Sequence, residues 1–247
     1  MSRDLARRAL AELLGTGLLV AVVVGSGVMA QRQSPGAPGL ELLENSTATA
    51  FGLAVLILMF SPVSGAHFNP VVTLVDQLLG RRGGAGTGAR EVGVYVLAQL
   101  VGGVGGAVLA NVMFALPAAS ASTHTRSAGH LWLGEVVATA GLVLLVFALA
   151  RTGRGSHAPA AVGAYIGAAY WFTSSTSFAN PAVTVARAFT NTFAGIAPGS
   201  VPGFVVAQLL GAGIGAVLVL ALFPVLPAPV AAPAQTRTSV TFTRSSS

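Results

Sequence analysis

Six long apolar stretches divide this chain, at roughly Ala9–Ala30, Ser46–Pro62, Val92–Leu116, Leu131–Ala150, Ala158–Thr173 and Pro202–Leu226. A helix needs about 20 residues to cross a ~30 Å hydrocarbon core, and about 17 suffice at the lower limit. The second and fifth stretches sit near that limit. Stretches this long and continuous form helices, because a helix satisfies its own backbone inside lipid. Charged residues are 8% of the chain and hydrophobic ones 53%, against about 25% charged in soluble domains. That leaves too little polar material to clothe a soluble surface. Arg3, Arg7 and Arg8 precede the first stretch like a signal-peptide n-region. Its length and its Glu12 instead predict a retained span.

The halves of the chain echo each other in order. Ala11-Glu12-Leu13-Leu14 answers Gly134-Glu135-Val136-Val137, and Asn69-Pro70-Val71-Val72-Thr73 answers Asn180-Pro181-Ala182-Val183-Thr184. Ala98-Gln99-Leu100-Val101-Gly102 answers Ala207-Gln208-Leu209-Leu210-Gly211. The offsets of 123, 111 and 109 residues differ only across loops. Each half holds three spans, an odd number, so the second must enter the membrane from the opposite side as an inverted repeat.

The Asn-Pro segments fall between the second and third spans of each half. Asn69 to Leu79 makes ~16 Å of helix, about half a bilayer. Pro is favourable at a helix start and Asn is a good N-cap. Two half-helices entering from opposite faces would meet at the midplane, N-terminus to N-terminus. Non-helical backbone at that depth is tolerated where it is buried in protein or lines a wet cavity. Ser64–Phe68 and Ser174–Ala179 are therefore expected to be extended and to show carbonyls to a pore. The two positive helix ends would oppose protons and cations, and the Asn69 and Asn180 amides would donate to a passing oxygen. One Asn-Pro pair is an ordinary turn signal; two at matching repeat positions are not.

Formal charge is +6 and all basic residues are Arg. Their position between apolar runs marks topology, not a nucleic-acid face. With the N-terminus in the cytoplasm, ten Arg lie inside and three (Arg32, Arg126, Arg187) outside, which predicts both termini inside. Cysteine is absent, which excludes disulfides, a thiol nucleophile and thiolate metal sites. His124, His130 and His157 are scattered in loops, so no metal or other cofactor is expected. With no nucleophile–base constellation, neither is enzymatic chemistry. Gly102–Gly106 and Gly211–Gly215 suggest close helix crossings. Gln31–Asn45 reads as an exposed loop, and 227–247 as a disordered tail.

Ser64-Gly65-Ala66-His67-Phe68-Asn69-Pro70 resembles the first signature of the major intrinsic protein (aquaporin and aquaglyceroporin) family. Asn180-Pro181-Ala182 resembles the second, and the Glu and Ala-Gln-x-x-Gly elements its other repeat marks. The resemblance covers about residues 5–226. It implies an all-α membrane protein of six transmembrane helices plus two re-entrant half-helices, within a channel domain over 1–226 (repeats about 5–116 and 128–226). It also implies a homotetramer in the cell membrane, with one pore per subunit passing small neutral solutes. Val71 stands where the family has Ala, a mild departure. Val183 stands where most members carry an Arg that forms one side of the outer constriction. Phe51 (by local motif), Ser177 (by spacing) and Val183 are the expected filter positions, with a further one within Ala168–Trp171. A filter without that Arg would be wider and less polar. It would pass water, glycerol or neutral metalloid hydroxides such as undissociated arsenous acid, as in a bacterial aquaglyceroporin-like subgroup.

Three side chains keep two readings each. Glu12 and Glu135 are either proton-coupling carboxylates of a secondary transporter or, as the resemblance implies, acceptors that hold the re-entrant loops. His67 either touches the inner vestibule or pins its loop. Arg187, one turn beyond Val183, either reaches the pore mouth or packs against outer loops.

Overall fold

A computed structural model describes residues 1–83 and 88–224. The expected tail and the last two residues of the sixth apolar stretch lie outside them. Eight α-helices are present among the described residues: α1 (Arg3–Gln33), α2 (Pro38–Ser64), α3 (Pro70–Gly83), α4 (Ala89–Met113), α5 (Gly129–Arg151), α6 (Ala158–Phe172), α7 (Pro181–Ala186) and α8 (Val201–Leu222). Five are long and apolar enough to cross a membrane. The sixth, α6, has 15 residues, or about 22 Å of helix. Large apolar side chains such as Leu58, Leu97, Leu133 and Val217 point outward, as a lipid-facing surface requires.

The expected loop over Gln31–Asn45 shrinks to the residues between α1 and α2. Helix α2 starts at Pro38, where the missing N–H is harmless, and Glu41 lies in its first turn. Ser34, Glu41 and Asn45, which looked like loop residues, are buried, while Gln31, Arg32 and Gln33 are exposed. Asn45 Nδ2 donates to the Val23 carbonyl at 2.9 Å and to Ser26 Oγ at 2.8 Å.

Helix α1 packs between α2 and α4, α5 between α6 and α8, and α2 against α6 joins the halves. The α1–α4 and α5–α8 crossings rest on glycine. A Cβ at Gly102 or Gly106 would collide with the Leu13 or Gly17 carbonyl. At the repeat-related Gly211 and Gly215 it would meet the Val136 and Ala140 carbonyls at 2.5 and 2.7 Å. Small residues at such crossings let backbones approach where no water drives them together. The half-helices α3 and α7 each touch both α4 and α8, so each is wedged between the halves.

Candidate functional site

The loops before α3 and α7 are not extended. Gly65, Ala66 and Phe68 have φ of 89°, 51° and 49°, and their repeat partners Thr176, Ser177 and Ala179 have 61°, 50° and 48°. Left-handed backbone at non-glycine residues costs of order 1–3 kcal/mol each and persists only where surroundings enforce it. Two fully buried carboxylates do so. Glu12 accepts from His67 N (3.0 Å), Phe68 N (2.7 Å), Ser64 Oγ (2.6 Å) and Gln99 Nε2 (2.8 Å). Glu135 accepts from Phe178 N (2.8 Å), Ala179 N (2.9 Å) and Gln208 Nε2 (2.6 Å). Bonds to a charged acceptor contribute about 1.5–3 kcal/mol each, enough to offset the backbone strain.

At the junction each half holds the other. Asn69 Nδ2 donates to the Ala179 carbonyl at 2.7 Å, and Asn180 Nδ2 to the Phe68 carbonyl at 2.8 Å. The Asn69 Oδ1 caps α3 through Val71 N, and the Asn180 Oδ1 caps α7 through Ala182 N and Val183 N. An Asn amide has two N–H donors, so one remains on each residue. Both asparagines line a cavity of about 250 Å³. Pro70, Val71, Pro181 and Ala182 are buried and do not line it; Val71 packs with Val75, Val143 and Phe147.

The lining includes Asp76 and Arg187, each seven residues beyond its capping asparagine on half-helices that start at one junction and run apart, so they lie toward opposite ends. Thr49, Tyr170 and Val183 line the cavity with Arg187, and Phe147 and Ala158 line it as well. His67 lines this cavity, and its Nδ1 lies 3.1 Å from Thr73 Oγ1. Ser177 lines the cavity and its Oγ has no partner. Tyr170 is the lining residue within Ala168–Trp171, its hydroxyl 3.3 Å from Thr49 Oγ1.

Phe51 is a correction. It is 71% exposed and lies off the cavity. The lumen-facing positions of α2 are Thr49, Leu53 and Ile57, spaced at helical period. Phe51, two residues from Thr49, projects to the opposite side.

Arg187 is 2% exposed and lines the cavity. It does so from a single 3-10 turn, Arg187–Phe189, that continues α7. Its Nε donates to the Ala194 carbonyl, and its guanidinium carbon lies 3.4 Å from the Phe178 ring centroid. Arg126 sits 5.2 Å from the same centroid and donates through Nε to the Gly195 carbonyl at 3.0 Å. Burial lowers the Arg126 pKa, and Glu135 and Tyr170 act in the opposite sense.

Comparison with known proteins agrees with this architecture. The family model described as Major intrinsic protein matches residues 1–178. The chain is 52% identical over 209 residues to aquaglyceroporin AqpS of Rhizobium meliloti, covering 85% of this chain and 87% of that one. It is 32% identical to the glycerol uptake facilitator protein of Pseudomonas aeruginosa, covering 90% and 92%. The fold superposes on the X-ray structure of the aquaglyceroporin from Plasmodium falciparum with a TM-score of 0.66 at 20% identity, covering 87% and 95%. Inverted halves, paired Asn-Pro half-helices and these relatives lead to one assignment: this chain belongs to the major intrinsic protein family, as a multi-pass membrane channel for small uncharged solutes.

Proposed function

We propose that the channel passes glycerol-sized polyols as well as water, across the cell membrane of a homotetramer whose termini are both cytoplasmic. The observation that carries this reading is the outer end of the cavity. Apolar Val183 lines the same space as the polar groups of Thr49, Tyr170 and Ser177. A polyol has a carbon face and a hydroxyl face, so it fits a lumen that offers both. Water gains nothing from the apolar part. The names of two relatives, an aquaglyceroporin and a glycerol uptake facilitator, agree with that solute class. Arsenous acid presents three hydroxyls on a compact neutral centre and fits the same lumen.

Glu12 and Glu135 act here as loop anchors. Both are fully buried, accept three or more hydrogen bonds, and lie off the cavity. A coupling carboxylate would need a path for protons and a change of partners. Stopped-flow swelling of proteoliposomes in water, glycerol and arsenous acid tests the proposal. Glycerol flux that rises linearly with its gradient and ignores a pH gradient is expected. Water flux without glycerol flux would overturn it, as would saturable flux driven by protons.

A further inference from the structure

Two guanidiniums share one ring at the outer end of the cavity. Arg187 and Arg126 both lie over Phe178, at 3.4 and 5.2 Å from its centroid. Their Nε atoms donate to consecutive carbonyls, Ala194 and Gly195. Arg126 Nη2 adds a 3.4 Å contact to the Phe193 carbonyl. The segment 193–195 thus holds two like charges beside one another. Ion pairs among the described residues join Arg7 to Asp4 and Arg8 to Glu91, and neither outer arginine has a carboxylate partner. The Glu135 carboxylate is committed to Phe178 N, Ala179 N and Gln208. Arg187 has only its Nε in a recorded bond, and it lines the lumen while 2% exposed. Its Nη donors have no protein acceptor among the described residues, so they are open to a ligand in the lumen that brings oxygens of its own. Ser177, 3% exposed with an unpartnered Oγ, lines the same space.

We propose that this end of the cavity is a binding site for a small monovalent oxyanion, held by Arg187 with Arg126 reinforcing it, and that occupancy plugs the pore against neutral solutes. The planar fork of a guanidinium matches two oxygens of a carboxylate- or nitrate-like anion. Arg126, whose recorded donors are spent on carbonyls, adds field without adding bulk. The inverted repeat makes the site one-sided. The position related to Arg187 by the 111-residue offset is Asp76, which lines the opposite end of the same cavity. An anion held by these donors occupies the lumen that a neutral solute must cross, so it plugs the pore.

The inference rests on the channel reading above, and its test separates the two. Water and glycerol permeability of proteoliposomes is measured in sodium nitrate and in equal sodium chloride, whose spherical anion offers a guanidinium fork no pair of oxygens. Nitrate is expected to lower the wild-type permeability, by about twofold at a concentration equal to its dissociation constant. Arg126→Gln should need several times more nitrate for the same effect, and Arg187→Gln should lose the effect. If Arg187→Gln does not reconstitute, Arg126→Gln carries the comparison. Nitrate should also raise the melting midpoint of the wild type in detergent more than that of Arg126→Gln. Equal permeability in nitrate and chloride would overturn the site, as would equal nitrate sensitivity in wild type and Arg126→Gln. A nitrate current through the pore would overturn the plug. Absence of glycerol flux bears on the function instead, because the nitrate effect is then read on water.

Discussion

Val183 occupies the first turn of α7 and lines the lumen with Thr49, Tyr170 and Arg187. A guanidinium at 183 would fill part of that lumen and sit beside an existing cation. We expect Val183→Arg to lower the glycerol-to-water permeability ratio roughly tenfold, equivalent to about 1.4 kcal/mol of added barrier. An unchanged or higher ratio in matched liposomes would remove Val183 from the filter. Thr49 and Phe51 give a paired check on the face of α2. Thr49→Trp should cut glycerol flux severalfold, whereas Phe51→Ala should leave both permeabilities as they are. The reverse pattern would contradict the lumen face described above. Among single residues, Asn69, Asn180, Glu12 and Glu135 were legible in the sequence because each appears twice at matched positions. Thr49 and Tyr170 were not, because each lies within an apolar helix and only the helix rotation decides which side chain meets the lumen.

Between elements, the re-entrant loops depend on carboxylates carried by other helices. Glu135→Ala would leave Phe178 N and Ala179 N without an acceptor, at about 1–3 kcal/mol each. The expected result is a lowered melting midpoint in detergent and a reduced folded yield, with residual flux still indifferent to a pH gradient. A variant of unchanged stability would argue that the loop holds its left-handed backbone unaided. The glycine crossings are equally exacting. Gly106→Leu places a side chain against the Gly17 carbonyl and should destabilise by about 1–3 kcal/mol or more, since overpacking forces backbone shifts. The same change at Gly105, where nothing lies within 4 Å, should be tolerated, which makes the pair a test read from thermal midpoints. Helix α2 shows the limit of hydropathy. Its first turns carry Glu41, Glu44 and Asn45, so they resemble a loop, yet Asn45 bonds across to α1 and the helix runs on.

For the whole molecule, the proposed topology with both termini cytoplasmic puts the 114–128 connection outside and the α5–α6 turn inside. Because the chain has no cysteine, single introduced thiols report cleanly. Cys at exposed Thr125 should react with an impermeant reagent in intact cells, and Cys at exposed Ser156 only after permeabilisation. Reversed labelling would invert the topology and exchange the inner and outer ends of the cavity. The sequence by itself determined the membrane class, the number of spans, the duplication and the Asn-Pro junction. Each of these is a matter of length, composition or repeated order, which survive without coordinates. Only the tertiary structure decided that Arg187 turns into the lumen from a 3-10 turn and that Arg126, 61 residues away in the chain, shares its aromatic ring. It also decided that Asp76 and Arg187 line opposite ends of one cavity. Those relations depend on how helices rotate and how distant loops meet, and packing across the two halves fixes both.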